Sequence, residues 1–167
     1  MEIFIVIPCL NEEDCITATC ASLGFGDGLE PPGRLVLVDN GSSDGTAKLM
    51  LAIQRASPPG HVLITQEHRR GYVAARRAGM AKVIDVAQRD QVPEEDVLIL
   101  QADADTIYLP DYLRPWLTLI VAVADTFWKR VPSPAASSIS SFLCSGSSAG
   151  RSIMAWSVGW RRKRGKS

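Results

Sequence analysis

Two apolar runs in this chain stop abruptly at aspartate. Leu35-Val36-Leu37-Val38 leads into Asp39-Asn40-Gly41-Ser42-Ser43-Asp44-Gly45-Thr46, and Val97-Leu98-Ile99-Leu100 into Gln101-Ala102-Asp103-Ala104-Asp105-Thr106. Four consecutive aliphatic residues without polar alternation suit a strand buried on both faces, which means a parallel sheet covered by helices. In such a sheet, ligands bind beyond the carboxyl ends of the strands. Acids placed at two strand ends therefore imply a site for a cation or a nucleotide.

The segments around these runs alternate regularly. Ile3 to Ile7 is a first strand stopped by Pro8, and Asn11 is expected to cap a helix with Glu12, Glu13 and Asp14 in its first turn, reaching about Leu23. Gly24-Phe25-Gly26-Asp27-Gly28 follows that helix, so its glycines form a loop and not a dinucleotide fingerprint. Ser42 or Ser43 is expected to cap a helix over 46–56, Val62 to Thr65 is a third strand, and a helix spans Tyr72 to about Arg89 before the strand at 97–100. This order specifies an α/β, Rossmann-like, doubly wound and mainly parallel sheet.

Composition divides the chain in two. Residues 1–115 carry 17 Asp and Glu against 10 Lys and Arg, whereas 116–167 carry 1 against 8. Eight of the sixteen residues from Ser133 to Ser148 are serine, and the chain ends in the basic run Arg161 to Lys166. We expect 1–115 to be the α/β domain and 116–167 to be an atypical Ser-rich, basic segment, irregular or disordered, of the kind that a shifted reading frame leaves. No stretch reaches the roughly 20 apolar residues of a spanning helix, and Met1 leads straight into a strand without a signal-peptide pattern. The expected setting is cytoplasmic. The apolar run Trp116 to Ala124 with the basic cluster leaves peripheral attachment to the inner face of a membrane open. Cys9, Cys15, Cys20 and Cys144 lack metal or redox spacing and read as reduced structural thiols.

The site residues follow from the strand ends. Asp39 can accept hydrogen bonds from a base or ribose, Asn40-Gly41 turns the chain, and Asp44 reads as a turn and cap residue. Small residues at 71, 74, 75, 78 and 79 let the third helix approach the sheet, and Arg76 on it can reach a diphosphate. If 103–105 is extended, Asp103 and Asp105 point the same way and can share one Mg²⁺ or Mn²⁺.

Taken in order, Ile5-Val6-Ile7-Pro8-Cys9-Leu10-Asn11-Glu12-Glu13-Asp14, Val38-Asp39-Asn40-Gly41-Ser42-Ser43-Asp44-Gly45-Thr46, Gly71 to Met80 and Asp103-Ala104-Asp105 resemble the nucleotide-binding half of family 2 glycosyltransferases over about residues 3–113. The resemblance implies the A-type glycosyltransferase fold and transfer, with inversion, of a sugar from a nucleotide-diphosphate donor, a UDP-sugar foremost, to a hydroxyl of a sugar or lipid-linked acceptor. It implies donor contacts at Pro8, Asn11, Glu12, Asp39, Gly41, Ser42, Arg76 and Asp103, and Mn²⁺ or Mg²⁺ at Asp103 and Asp105. Position 77 is Arg where the family has Asn. The family's catalytic base lies beyond the Asp-x-Asp, where after Leu113 this chain offers only Asp125, so no base is assigned. A nucleotide-sugar-binding fragment without transfer stays open, and a nucleotidyltransferase less so, because its basic, Gly-rich loop is absent after strand 1. No nucleic-acid partner is indicated.

Overall fold

The computed structural model describes residues 1–109 and 154–157. Its elements are β1 (Glu2–Cys9), α1 (Ile16–Ser22), β2 (Arg34–Asp39), α2 (Thr46–Ala56), β3 (Val62–Gln66), α3 (Tyr72–Arg89), a 3-10 turn (Glu94–Asp96), β4 (Val97–Gln101) and β5 (Met154–Ser157). The strands pair in parallel in the order β3-β2-β1-β4-β5. β5 comes from the C-terminal segment, where no strand is expected from the sequence. The remainder of that segment, including Cys144, Trp116 to Ala124 and the basic run, lies outside the described residues.

Side-chain parity explains why the strands read as continuous apolar runs. Ile5, Ile7, Cys9, Leu35 and Leu37 face one side of the sheet, where they pack with Ile16 and Cys20 of α1 and Met50 and Ile53 of α2. Phe4, Val6, Val36, Val38 and Ile99 face the other, against Ala75, Val83 and Val86 of α3. β1, β2 and β4 thus bury both faces and have no polar side to alternate with. Burial also pushes the Cys20 thiol up to about 12 and raises Cys9, so both stay protonated, and Cys9, Cys15 and Cys20 are free.

α1 and α2 cover one face and α3 the other, so the winding reverses after β3, and the chain returns across β1 to place β4 on its far side. That reversal puts the switch point between β1 and β4, the place where an open sheet leaves a crevice. The registers show it. β1 pairs with β4 only as far as Val6↔Gln101 but with β2 as far as Cys9↔Asp39.

Pro8 does not stop β1 as expected but lies within it, paired with Val38. The carbonyl of Val6 accepts from Ala102 N–H toward β4, and that of Cys9 accepts from Asn40 N–H toward β2. Pro8 shares the parity of Val6, so its missing N–H would point to the side where the β4 ladder has already ended.

The start of α1 also differs from expectation. Asn11 is no cap, and Glu12, Glu13 and Asp14 precede the helix, whose N-cap position is Cys15 without a side-chain hydrogen bond. Asn11 adopts a left-handed backbone, φ 56°, and its side chain serves another loop. Likewise α2 begins after Gly45, and neither Ser42 nor Ser43 caps it. In both cases the competing partner is non-local.

Among the described residues no helix is long and apolar enough to cross a membrane.

Candidate functional site

At the carboxyl edge of the sheet, the loops after β1 and β2 are laced together. Asn11 N–H donates to Ser42 Oγ at 3.1 Å, while Asn11 Oδ1 accepts from Ser43 N–H at 2.8 Å and from Ser43 Oγ at 3.3 Å. Glu12 N–H donates to Thr46 Oγ1 at 2.8 Å. Glu13 N–H donates to Asp44 Oδ2 at 3.2 Å, and Gly45 N–H returns a bond to Glu13 Oε2 at 2.5 Å. Asp44 Oδ1 accepts from both the amide and the hydroxyl of Thr46, at 3.0 and 2.5 Å. Desolvation opposes ionisation of Asp44, but the bonds from Thr46 and Glu13 outweigh it and hold its carboxyl below the usual range. Asp44 therefore orders the loop, and the side chains of Asn11 and Ser42 stiffen the crevice wall. Pro8, half-buried in β1, and the backbone of Glu12 belong to the same wall.

Asp39 closes β2 and is 7% exposed. Its Oδ1 accepts from Ser42 N–H at 3.0 Å across a turn in which Gly41 takes φ 81°, a conformation costly for a side chain. Only Oδ1 is engaged among the described residues, so Oδ2 can still receive a donor.

The neighbouring Asn40 has a role that its turn-forming sequence context hides. It is 3% exposed, and its Nδ2 donates to the carbonyls of Glu67 and Arg69 at 2.9 and 2.8 Å while its Oδ1 accepts from Gly71 N–H at 2.9 Å. Glu67 N–H adds a bond to the carbonyl of Asp39. One buried amide thus uses both donors and its acceptor to bolt the end of β2 to the loop that feeds α3.

α3 then delivers Tyr72 and Arg76. The Arg76 guanidinium lies 3.9 Å from the centroid of the Tyr72 ring, and both residues reach one oxygen: Tyr72 Oη donates to Asp103 Oδ1 at 3.2 Å, and Arg76 Nη2 lies 3.4 Å from it. Burial lowers the Arg76 pKa, whereas Asp103 and then Tyr108 draw it back up; an arginine there remains a cation. Tyr72 is 52% exposed, so this cluster faces solvent at the edge of the crevice. The structure thus brings Arg76 and Asp103 together. No hydrogen bond or ion pair joins Asp39 to Asp103 among the described residues.

Asp105 departs from expectation. Ala104 and Asp105 lie in a turn, not on an extended segment, so the alternation that would align Asp105 with Asp103 does not apply. The backbone of this turn is held from α1: Thr19 Oγ1 donates to the carbonyl of Ala104 at 2.7 Å, and Asp103 N–H donates to Tyr108 Oη at 3.0 Å. No third Asp, Glu, His or Cys joins the two aspartates among the described residues. Two carboxylates are nevertheless enough for Mg²⁺ or Mn²⁺ if phosphate and water oxygens complete the shell, which is the usual arrangement for these ions. The donor set fits a hard cation on that condition.

Sequence reasoning missed Asn40, Tyr72, Thr19 and Tyr108. Asn40, Tyr72 and Thr19 act through partners far along the chain, as does the backbone of Tyr108, and only the polarity of Asn40 and Thr19 beside apolar runs hinted at a buried partner.

The family model for "Glycosyl transferase family 2" matches residues 4–133. No curated protein matches significantly. Among solved structures, the chain is similar to TarS 1–349 of S. aureus in complex with UDP, at 18% identity and a TM-score of 0.52, over 73% of this chain and 32% of that one. TarS 1–349 in two further structures, one with UDP-GlcNAc, gives 20% and 21% identity, TM-scores of 0.49 and 0.48, 73% of this chain, and 32% and 33% of theirs. The chain spans about a third of the length of these structures. At such identity the likeness concerns the fold, and the α/β sheet is that of the A-type glycosyltransferases.

Proposed function

We propose, because the chain belongs to glycosyl transferase family 2, that the crevice between β1 and β4 binds a nucleotide-diphosphate sugar and serves transfer of its sugar to an acceptor hydroxyl. The observation that carries this reading is the convergence of Arg76 and Tyr72 on Asp103, at the strand end across the switch point from Asp39. An acidic strand end on one side suits the nucleoside, and a cation beside a second acid suits the diphosphate. UDP is the base and diphosphate we favour, in keeping with the similar TarS fold that holds it.

In this reading Asp39 Oδ2 accepts a hydrogen bond from the nucleoside, with Gly41, Ser42, Asn11, Glu12 and Pro8 forming the wall around it. Arg76 exchanges its contact with Asp103 for the diphosphate, where a fixed guanidinium stabilises charge that develops as the sugar leaves. Asp103 and Asp105 would then hold Mn²⁺ or Mg²⁺, which supplies Lewis-acid stabilisation of the leaving diphosphate. Displacement by the acceptor hydroxyl from the opposite side gives inversion.

The test is thermal unfolding with UDP. At a hundredfold excess over Kd a ligand adds about 2.7 kcal/mol, which for a chain of this size raises Tm by roughly 5–10 °C. We expect that shift with Mn²⁺ or Mg²⁺, a much smaller one in EDTA, and a weakened one in Asp39→Ala. A shift indifferent to EDTA removes the metal, and no shift at all removes the donor site. Release of UDP that depends on an added acceptor separates transfer from binding.

A further inference from the structure

We propose that Thr19, on the buried side of α1, is a positioning residue for the turn that carries Asp103 and Asp105, and through that turn for the diphosphate subsite; this rests on the donor-site reading above. Thr19 is fully buried, and packing with Ile16 and Cys20 would be met equally well by valine. A threonine hydroxyl within a helix ordinarily bonds back to the preceding turn. Here it leaves the helix instead and donates at 2.7 Å to the carbonyl of Ala104, the peptide between the two aspartates.

That bond belongs to a closed circuit. The carbonyl of Thr19 accepts from Ser22 Oγ at 2.7 Å, Ser22 Oγ accepts from Tyr108 N–H at 3.0 Å, and Tyr108 Oη accepts from Asp103 N–H at 3.0 Å. α1 therefore grips the backbone of the turn at Ala104 and, through Tyr108, at Asp103. α3 grips the carboxylate of Asp103 through Tyr72 and Arg76. Ala104 is itself buried, so without the Thr19 hydroxyl its carbonyl is left in an apolar setting and the turn must move to find water. A turn that moves changes the relation of Asp103 to Asp105.

The experiment compares Thr19→Val, which keeps shape and removes the hydroxyl, with Thr19→Ser, which keeps the hydroxyl, in the full chain. Mn²⁺ is titrated in the presence of UDP by calorimetry, and amide hydrogen exchange is read at residues 103–105. We expect Thr19→Val to raise the half-saturating Mn²⁺ concentration about tenfold, the lower end of the loss seen when groups behind metal ligands are removed. Exchange at 103–105 should quicken about tenfold while that of β1 and β2 is unchanged, and Thr19→Ser should stay within about twofold of the wild type in both. A merely structural threonine would lower Tm and move neither readout, and that result overturns the proposal. Tyr108→Phe, which removes the acceptor for Asp103 N–H, carries the same readouts should the valine variant fail to fold. Exchange is read whether or not UDP binds. A wild type indifferent to UDP and Mn²⁺ therefore defeats the donor-site reading, while unchanged exchange in Thr19→Val defeats the positioning role.

Discussion

Replacing Gly79 by alanine adds one methyl group to the buried face of α3, and two physical effects of opposite sign decide the outcome. In an exposed helix interior this exchange stabilises by about 1 kcal/mol, because alanine has less backbone freedom to lose. At Gly79, however, the added carbon would lie 2.3 Å from Val6 Cγ1 and 2.9 Å from Val38 Cγ2. Both valines are fully buried on adjacent strands, and a β-branched side chain has little rotamer freedom with which to yield. The helix must lift from the sheet or the strands must part. Overpacking of this kind costs about 1–3 kcal/mol, and two contacts this short place Gly79→Ala near the upper end, for a net loss of about 2 kcal/mol after the helix gain of about 1. Urea unfolding followed by far-UV circular dichroism measures it: with a slope of about 2 kcal/mol/M the midpoint falls by about 1 M. Val6→Ala removes the nearer methyl, so the double variant should be more stable than the sum of the two losses by about 1 kcal/mol. A Gly79→Ala protein as stable as the wild type, or strict additivity in the double variant, would refute the close approach of α3 to β1 and β2.

Two further outcomes follow from the hydrogen bonds. Asn40→Leu strips partners from the carbonyls of Glu67 and Arg69 and from Gly71 N–H; at about 1 kcal/mol for each hydrogen bond lost, it should lower the urea midpoint more than Gly79→Ala does, with new proteolytic cleavage in 67–71. At the other edge of the sheet, a hydrogen bond from Arg89 and then one from Arg34 pull the Asp90 carboxyl from 3.8 to about 2. Because the folded value is depressed, Asp90 adds stability that is present above about pH 4 and is lost as pH falls toward 2. Melting temperatures of Asp90→Asn should therefore fall less steeply than those of wild type across that window.

The parts of the fold legible in the sequence are those set by local composition. Runs such as Leu35 to Val38 have apolar residues on both parities because both faces of the sheet are covered, and that alone signals a parallel, doubly wound arrangement. The position of Asp39 and Asp103 at strand ends was legible for the same reason, as the first charges after such runs. The errors have a common cause in partners remote along the chain. Asn11 looks like a helix cap but spends its side chain on a loop 32 residues away, and Pro8 looks like a terminator because the one-sided end of the β1 ladder is set by where β4 stops. Asp105 was expected beside Asp103 on an extended segment, yet Thr19, 85 residues from Ala104, helps to fold that segment into a turn. Tyr72 has nothing in its own neighbourhood to distinguish it from an exposed aromatic residue until Asp103 arrives 31 residues later.

The register of β1 also sets an order of assembly. Its ladder with β2 joins residues 4–9 to 34–39, a nearby loop closed early at modest entropic cost, whereas its ladder with β4 joins residues 2–6 to 97–101 and must wait for nearly all the described domain to be synthesised and collapsed. Until then the far edge of β1 is an open row of backbone donors and acceptors down to Val6, the stretch most exposed to pairing with another chain. Beyond Val6 the row is interrupted by Pro8, which cannot donate. The residue that looks misplaced in a strand thereby shortens the edge that a folding chain leaves unguarded.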